Sequence, residues 1–586
     1  VIKAFFISCN VSKNLLEKVL EHFQVIARRY GDNVSRIERY GFNLILLKDS
    51  GDEWNSDFNK ISFIAGKINA HPEQWDRFLR VEISPECLQI ENDYAGSIPV
   101  FYSQKNGFVA SNIEPCVYLA TNSTLSDISY ENIYGFLRYG HFIWDETAWK
   151  HIKQILPDSR YRFSSEGVLI STEYLQTIKA TDSRATFTDK VIADDLFELN
   201  RSLVTRSLVD SDEIILPLSS GYDSRMIFSV LANDKQLSCK TRCFTYGSIG
   251  SIEVEGGRRL TKLKGVDWHY VNLPCRFLDK RYLKEIADIF GASLHMHGMY
   301  QVEFYEQIKS KYGISPSARL TSGFMTGVPA GQHNSLLQIT ELDSRLTDVM
   351  NHFSQSKVWK DEDLEKMPVF AGKQYLEIAE QRFRLAFDRF EGEIYQKTVM
   401  FDVWTRQRNF ISYYPRTLEW QIPTVSPHMC AEYANFFMSL NEDHLRNRRA
   451  VELMFLKCYP DIAKVASNSN GIACLGSQFE TSLLFLSRIF NYLNFPNPLP
   501  RKFRNIPIEL DIQAVKNCKG DSFYPLLDDT KEIREFTAAF GGMKMFHNLY
   551  CRALNGDRHA YARAVTLQAI VLSGLLEYSS FDNFGK

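Results

Sequence analysis

The chain lacks an uncharged apolar run of the ~18 residues that a membrane-spanning helix requires. The longest, residues 564–576, suits a buried helix. No basic segment followed by an apolar one opens the chain, so no secretory leader is expected. Charge of either sign is not in excess: 68 Lys and Arg face 70 Asp and Glu, which leaves no basic footprint for nucleic acid. The 11 cysteines are odd in number and scattered, a usage that fits reduced thiols in a cytoplasmic protein better than a disulfide framework. Cys239 and Cys243 lie close together, yet no second pair completes a metal motif; His295 and His297 form an H-x-H pair without a third ligand at recognisable spacing, so zinc is not expected. Internal repeats and low-complexity tracts are also missing.

What is present belongs to a large globular chain. The 586 residues exceed what one core usually serves, which implies two or three domains, and 45% hydrophobic residues can fill them. The first part is β-rich to about Leu175, and Thr177-Ile-Lys-Ala-Thr-Asp-Ser-Arg-Ala-Thr186 reads as a polar linker. A helix is expected from near Asp189. From about Leu342 the pattern is helical, with aromatics and leucines at three- and four-residue spacing over residues 375–390 and 432–440. Pro496-Asn-Pro-Leu-Pro500 interrupts it, and a last helical stretch covers roughly residues 529–578.

The stretch richest in chemistry is Glu213-Ile-Ile-Leu-Pro-Leu-Ser-Ser-Gly-Tyr-Asp-Ser-Arg-Met-Ile227: an apolar strand, a small hydroxyl-rich turn, and the start of an apolar helix. A turn that wraps phosphate needs residues without bulk, so that backbone N–H groups face inward, and it gains from a helix N-terminus. Ser219, Ser220, Gly221 and Ser224 meet that need, and Asp223 offers a carboxylate for a phosphate-bound Mg²⁺. The lysine of a Walker loop is missing. Lys240-Thr-Arg-Cys-Phe-Thr-Tyr-Gly247 reads as a second strand, residues 251–265 as a helix, Trp268-His-Tyr-Val-Asn-Leu273 as a third strand, and Arg319-Leu-Thr-Ser-Gly-Phe324 as a fourth. This alternation predicts a parallel sheet whose first, second and fourth strands end at one crevice.

The turn resembles the S-G-G-x-D-S loop of ATP pyrophosphatases, with Ser220 in place of the first glycine. The whole succession resembles the synthetase domain of the asparagine synthetase family, which includes β-lactam synthetases and lasso-peptide cyclases. The resemblance implies an α/β chain in two domains. Residues 1–180 would form a glutaminase-like, Ntn-hydrolase-type αββα sandwich. Residues 187–586 would form an adenine-nucleotide α-hydrolase-like (PP-loop) synthetase domain, helical from about residue 342. It further implies ATP and Mg²⁺. Leu218 and Tyr246, with Gly247, would flank adenine; Ser219, Ser220, Gly221, Tyr222, Asp223 and Ser224 would hold phosphates; Ser322 and Gly323 would close over the nucleotide; Asp223 would bind the metal. The family adenylates a carboxylate and passes the acyl group to an amine.

Asn92-Asp-Tyr-Ala-Gly-Ser-Ile-Pro-Val-Phe-Tyr102 and Asn106-Gly-Phe-Val-Ala-Ser-Asn-Ile-Glu114 read as two strands around a Gly-containing turn, and resemble the glutaminase segments D-x-x-G-x-x-P-L-Y-Y and F-A-S-E-x-K. The glutaminase chemistry itself is expected to be missing: the chain opens Val1-Ile-Lys-Ala-Phe-Phe-Ile-Ser-Cys9, with Lys3 to Ser8 read as the first strand, and Phe63-Ile-Ala-Gly-Lys-Ile-Asn69 replaces the family's Asn-Gly-Glu. The synthetase half departs too. Phe324 and Gly327 stand where the family has glutamate and a second metal-binding aspartate, Ser426 replaces another aspartate, and Lys464 lies out of register with the family's R-x-K lysine. Arg225, His269, His295, His297, Glu303 and His333 are the candidates to supply the missing charges, with Asp223, Arg225 and Lys464 taken as catalytic. Of Glu253 and Glu255, one is expected to meet the ribose or, more simply, solvent. Arg446-Asn-Arg-Arg449 reads as a solvated face, with an acidic substrate as its alternative. Tyr413, Tyr414 and Trp420 beside Arg408 and Arg416 read as core, with an acyl pocket as theirs.

The expectation is an AMP-forming amide ligase acting on a small-molecule or peptide carboxylate and an amine, in a natural-product or surface-glycan pathway. A homodimer is compatible with it. The alternatives are a catalytically impaired nucleotide-binding or partner protein, and a glutamine-dependent amidotransferase.

Overall fold

The structure, a computed structural model, describes residues 2–48, 54–57, 60–65, 77–180, 187–275, 280–291, 300–332, 349–351, 353, 360–372 and 374–467, with short pieces at 482–483, 486, 489–490, 498–499, 538–542 and 551. His295, His297, His333, residues 66–69, most of the linker and the C-terminal helical stretches lie outside the described residues.

The described chain is α/β, with two sheets. The N-terminal one contains β1 (Ile2–Cys9), β2 (Asn33–Arg39), β3 (Phe42–Lys48), β4 (Trp54–Asp57), β5 (Lys60–Ala65), β6 (Leu79–Ile83), β7 (Cys87–Asn92), β8 (Phe101–Ser103), β9 (Phe108–Ser111), β10 (Lys153–Gln154), β11 (Ser159–Ser164) and β12 (Leu169–Tyr174). Its main path runs β10-β8-β9-β1-β5-β6-β7-β11-β12, with β3 joined to β1 and β2, and β4 to β5. Hydrogen bonding makes it one continuous mixed sheet, in which only the β1–β5 contact is parallel among the described pairs. Alternation along β1 explains how it divides two cores: Ala4 and Phe6 face helix α1 (Lys13–Tyr30), while Phe5, Ile7 and Cys9 meet Val81, Ile90 and Phe163 from distant strands. The sheet is therefore curled over its own second core.

The segment 92–102 is less of a strand than its alternation suggests. Residues after Asn92 turn because Asp93 Oδ1 accepts the N–H groups of Ala95 and Ser97 at 3.0 and 3.1 Å, and Oδ2 accepts Ser97 Oγ at 2.6 Å. Only at Phe101 does pairing resume, and the hairpin to β9 then turns on Asn106 and Gly107, both at positive φ.

The second sheet is fully parallel, in the order β15-β14-β13-β16-β17, from β13 (Ile214–Pro217), β14 (Thr241–Tyr246), β15 (Asp267–Val271), β16 (Arg319–Thr321) and β17 (Thr424–Val425). Between them run α5 (Tyr222–Leu231), α7 (Ile252–Lys264), α8 (Lys280–Phe290) and α9 (Tyr300–Tyr312), with the short α6 (Lys235–Ser238) before β14. Helix α4 (Asp189–Leu208) precedes β13, capped by Thr188. Helix α7 begins and ends where its sequence says it should: Ser251 caps Val254 N–H, and Gly265 closes it in the left-handed conformation. Helices α2 (Glu114–Ala120) and α3 (Tyr130–Tyr139) lie on the N-terminal side.

One hydrophobic core joins both sheets: Phe6 and Val117 belong to the same buried cluster as Phe244, Leu320, Phe383 and Phe401. Beside it the π-helical segment Val403–Ile411 reaches back to the N-terminal part. Arg408 donates to Trp144 O (3.0 Å) and Ile155 O (2.6 Å), and Asn409 to Phe142 O (2.8 Å). Tyr413 and Trp420 are buried in the joint core, and Arg416 lies over the rings of Phe290 and Tyr413. Arg408, Arg416, Tyr413 and Trp420 thus form packing. Among the described residues, no helix is long and apolar enough to cross a membrane.

Candidate functional site

Strand β13 is the centre of the parallel sheet, so the turn that follows it is flanked by the turns after β14 and β16. This is the topological position at which open α/β sheets hold ligands. Glycines set the approach. A Cβ on Gly256 of α7 would lie 2.5 Å from Ser220 Cβ, and one on Gly257 would lie 2.5 Å from Thr245 Oγ1. From the other side, a Cβ on Gly323 would meet Asp223 Cβ at 3.0 Å, and one on Gly327 would lie 3.1 Å from Asp223 Oδ1 and 2.2 Å from Gln332 Oε1. Helix α7 and the turn 322–327 therefore close on residues 219–224 as tightly as backbone allows.

Within the turn, small hydroxyls organise the backbone. Ser219 N–H donates to Ser224 Oγ at 3.1 Å, the two hydroxyls are 3.1 Å apart, and Gly221 N–H donates to Ser219 Oγ at 3.2 Å. Glu253 does more than meet solvent: its Oε2 accepts both Ser220 N–H (2.7 Å) and Ser220 Oγ–H (2.8 Å). The amide expected to face phosphate at 220 thus already serves a carboxylate. Glu255 instead pairs with Arg258 on the surface of α7. Helix α5 starts at Tyr222 without a side-chain cap, since Gly221 has none to give. The anion-attracting features left at the mouth are that helix start and the Ser219 and Ser224 hydroxyls.

Arg225 is fully buried and donates to Ser220 O (2.8 Å), Val465 O (2.7 Å) and Ala466 O (3.0 Å). Burial pushes its pKa down to about 10, which leaves it charged at neutral pH. It ties the turn to residues 465–466 and acts as a positioning group. Lys464, next to those carbonyls, is exposed. Leu218 is core, its N–H bonded to Phe244 O and its carbonyl to Thr245 Oγ1. Tyr246 packs on Tyr300 and Phe304, with ring centroids 5.4 and 5.0 Å away, and Gly247 O accepts Tyr270 OH at 2.7 Å. Ser322 N–H donates to Val425 O, which fixes the turn after β16 to β17. His269 lies on edge strand β15, 2.9 Å from Asp267, and Glu303 is buried on α9.

Phe324 is buried with Met325, Val328, Tyr94, Met400 and Trp404. Ser426 Oγ is buried without a hydrogen-bond partner among the described residues, two residues from His428, whose ring nitrogens meet Thr326 Oγ1 and Asn200 Oδ1, each at 2.7 Å. Cys239 is exposed and Cys243 buried.

The basic cluster 446–449, expected to be a solvated face, sends one of its arginines inward. Arg446 and Arg449 are partly solvated, but Arg448 is buried, with Nη1 3.1 Å from Asp223 Oδ1 and its guanidinium 4.5 Å over the Tyr222 ring. Tyr222 OH in turn donates to Glu452 at 2.7 Å. Arg448 reaches inward because Asn447 and Arg448 are both left-handed, at φ 55° and 61°. Such residues cost ~1–2 kcal/mol each and persist where the surroundings hold them. Here Asp189 holds both shoulders of the turn, His444 at 3.1 Å and Arg449 at 2.8 Å.

These donors suit a phosphate chain better than a protein-held metal. Asp223 already faces a guanidinium, and the described residues contain no group of three His, Cys, Asp or Glu able to hold an ion. At residues 219–224 a divalent cation could take one ligand from Asp223 and the rest from a polyphosphate. A separate cavity of about 720 Å³ lies between residues 129–153 and helix Tyr375–Phe387; none of the expected site residues lines it. No protein-family model matches the chain, and no curated protein is significantly similar to it.

Proposed function

We propose that the chain is an ATP-dependent, AMP-forming amide ligase of the asparagine synthetase type, with residues 187–586 as a PP-loop synthetase domain and residues 1–180 as an Ntn-like domain without glutaminase activity. The observation that carries this reading is the central turn 219–224 of a five-stranded parallel sheet, closed from both sides by glycines of α7 and of the turn 322–327. ATP would lie with its phosphates over the Ser219 and Ser224 hydroxyls and the start of α5, and Mg²⁺ would enter with it, taking one ligand from Asp223. A small-molecule or peptide carboxylate would attack the α-phosphate, pyrophosphate would leave, and an amine would displace AMP. Preorganised donors at the helix start would stabilise the charge that develops. A natural-product or surface-glycan pathway and a cytoplasmic setting remain part of the proposal through the resemblance alone.

Specific observations favour a second reading, a nucleotide-binding protein with little turnover. Phe324 is committed to an apolar cluster, Ser220 N–H to Glu253, and Asp223 to Arg448. Pyrophosphate release from Mg²⁺-ATP, screened with pools of amino acids, peptides and uronic acids, separates the two. Acid-dependent release that disappears in Asp223→Ala supports the ligase. ATP binding without release in any pool supports the binding protein.

A further inference from the structure

We propose that Arg448 is the phosphate-side cation of this site: it neutralises Asp223 when no nucleotide is bound, and it passes its guanidinium to the phosphate chain when Mg²⁺-ATP reaches Asp223. The proposal rests on the reading of the turn 219–224 as a nucleotide-phosphate site. It follows from asking which cations could meet a polyphosphate there. Arg225 spends its donors on three backbone carbonyls, and the side chain of Lys464 is exposed. His269 pairs with Asp267 on the edge strand. Arg448, by contrast, already contacts a carboxylate on the first turn of α5, next to Ser224.

Two features argue against packing as its whole role. A purely structural arginine need not stand on two successive left-handed residues, Asn447 and Arg448, and strain of that kind gathers where a side chain must be aimed. The backbone that carries it is also fixed against the site: a Cβ on Gly331 would come 2.1 Å from Leu445 O, so the chain leaving the turn 322–327 presses directly on the start of the arginine turn. The chemistry fits as well. Asp223 engages one arm of a planar fork with five donors, and such a fork matches phosphate oxygens as well as it does a carboxylate. With Gly327 where the resemblance would put a second carboxylate, fewer metal contacts would offset phosphate charge there, and the guanidinium would neutralise part of that charge directly.

The test is calorimetric binding of ATP and of adenosine to the full chain, wild type, Arg448→Met and Arg448→Lys, with and without Mg²⁺. Arg448→Met is expected to weaken ATP ~10–100-fold, the range for a lost charged hydrogen-bonding partner, and to leave adenosine unchanged. Arg448→Lys, which keeps the charge but not the fork, should fall between them, and it carries the test if the methionine variant does not fold. Equal loss of both ligands, or loss of neither, would overturn the role of Arg448 while leaving the nucleotide site in place. A wild-type chain that binds neither ligand would overturn the site itself, and the role of Arg448 with it.

Discussion

Glu253→Ala should release the turn on which the proposed site depends. Glu253 Oε2 accepts two hydrogen bonds from Ser220, at 2.7 and 2.8 Å, and Ser220 is fully buried. A hydrogen bond to a charged group contributes about 1.5–3 kcal/mol, and a buried N–H left without a partner costs about 1–3 kcal/mol. Because both bonds share one acceptor, their losses are not additive, and about 3 kcal/mol is the expected total. The chain has several cores, so a single melting temperature is a poor gauge; hydrogen exchange of the 219–221 amides reports the local opening. At a factor of ten per 1.4 kcal/mol, exchange should accelerate ~100-fold in Glu253→Ala. Glu253→Gln keeps an acceptor oxygen without the charge, and its acceleration should stay near tenfold. Less than a threefold change in the alanine variant, or equal damage by glutamine, would refute the view that this carboxylate organises the turn.

Three further outcomes are expected. Gly257→Ala adds a Cβ 2.5 Å from Thr245 Oγ1, which cannot yield freely because it donates to Leu218 O and accepts from Trp268 Nε1; helix propensity would favour alanine by about 1 kcal/mol, so a net loss in chemical denaturation shows that the contact wins, and a net gain shows that it does not. Glu146, 3.0 Å from Arg382 and next to Asp145, has its pKa pushed up to about 7 by burial, with Arg382 opposing. The native state therefore keeps a proton that the unfolded chain releases from about pH 4.5, and stability should fall as pH rises to about 7, by ~1.4 kcal/mol per unit at most, then level; the fall should be absent in Glu146→Gln denaturation curves. His428 is displaced the other way, down to about 3 by burial, so the unfolded chain takes up a proton below about pH 6.5 that the native state refuses, and stability drops as pH falls. An NMR titration should find its ring neutral at pH 5; protonation near 6.5 would contradict its buried placement.

The parallel sheet was legible because its signals are local. The apolar strands β13 and β14 alternate with a helix whose Ser251 cap and Gly265 stop are written into the sequence, and strand–helix alternation of this kind implies parallel pairing. The site was legible only in part, because its remaining members act across the fold. Glu253 looks like any exposed helix carboxylate until α7 packs on Ser220, an approach that the adjacent Gly256 and Gly257 could have signalled. Arg448 sits in a basic run that reads as solvated, and only a left-handed turn pinned by Asp189 sends it inward. The loop after Asn92 shows the opposite error: its alternation promises a strand, but the Asp93 carboxylate competes for the backbone N–H groups and bends the chain away.

The central claim, a nucleotide seated over the turn 219–224, is tested most directly by hydrogen exchange of the full chain with and without Mg²⁺-ATP. The account predicts protection confined to the three converging segments around residues 214–231, 241–257 and 319–332, together with the arginine turn at 445–449. Protection centred on residues 129–153 and 375–389, or no protection at any segment, would contradict it.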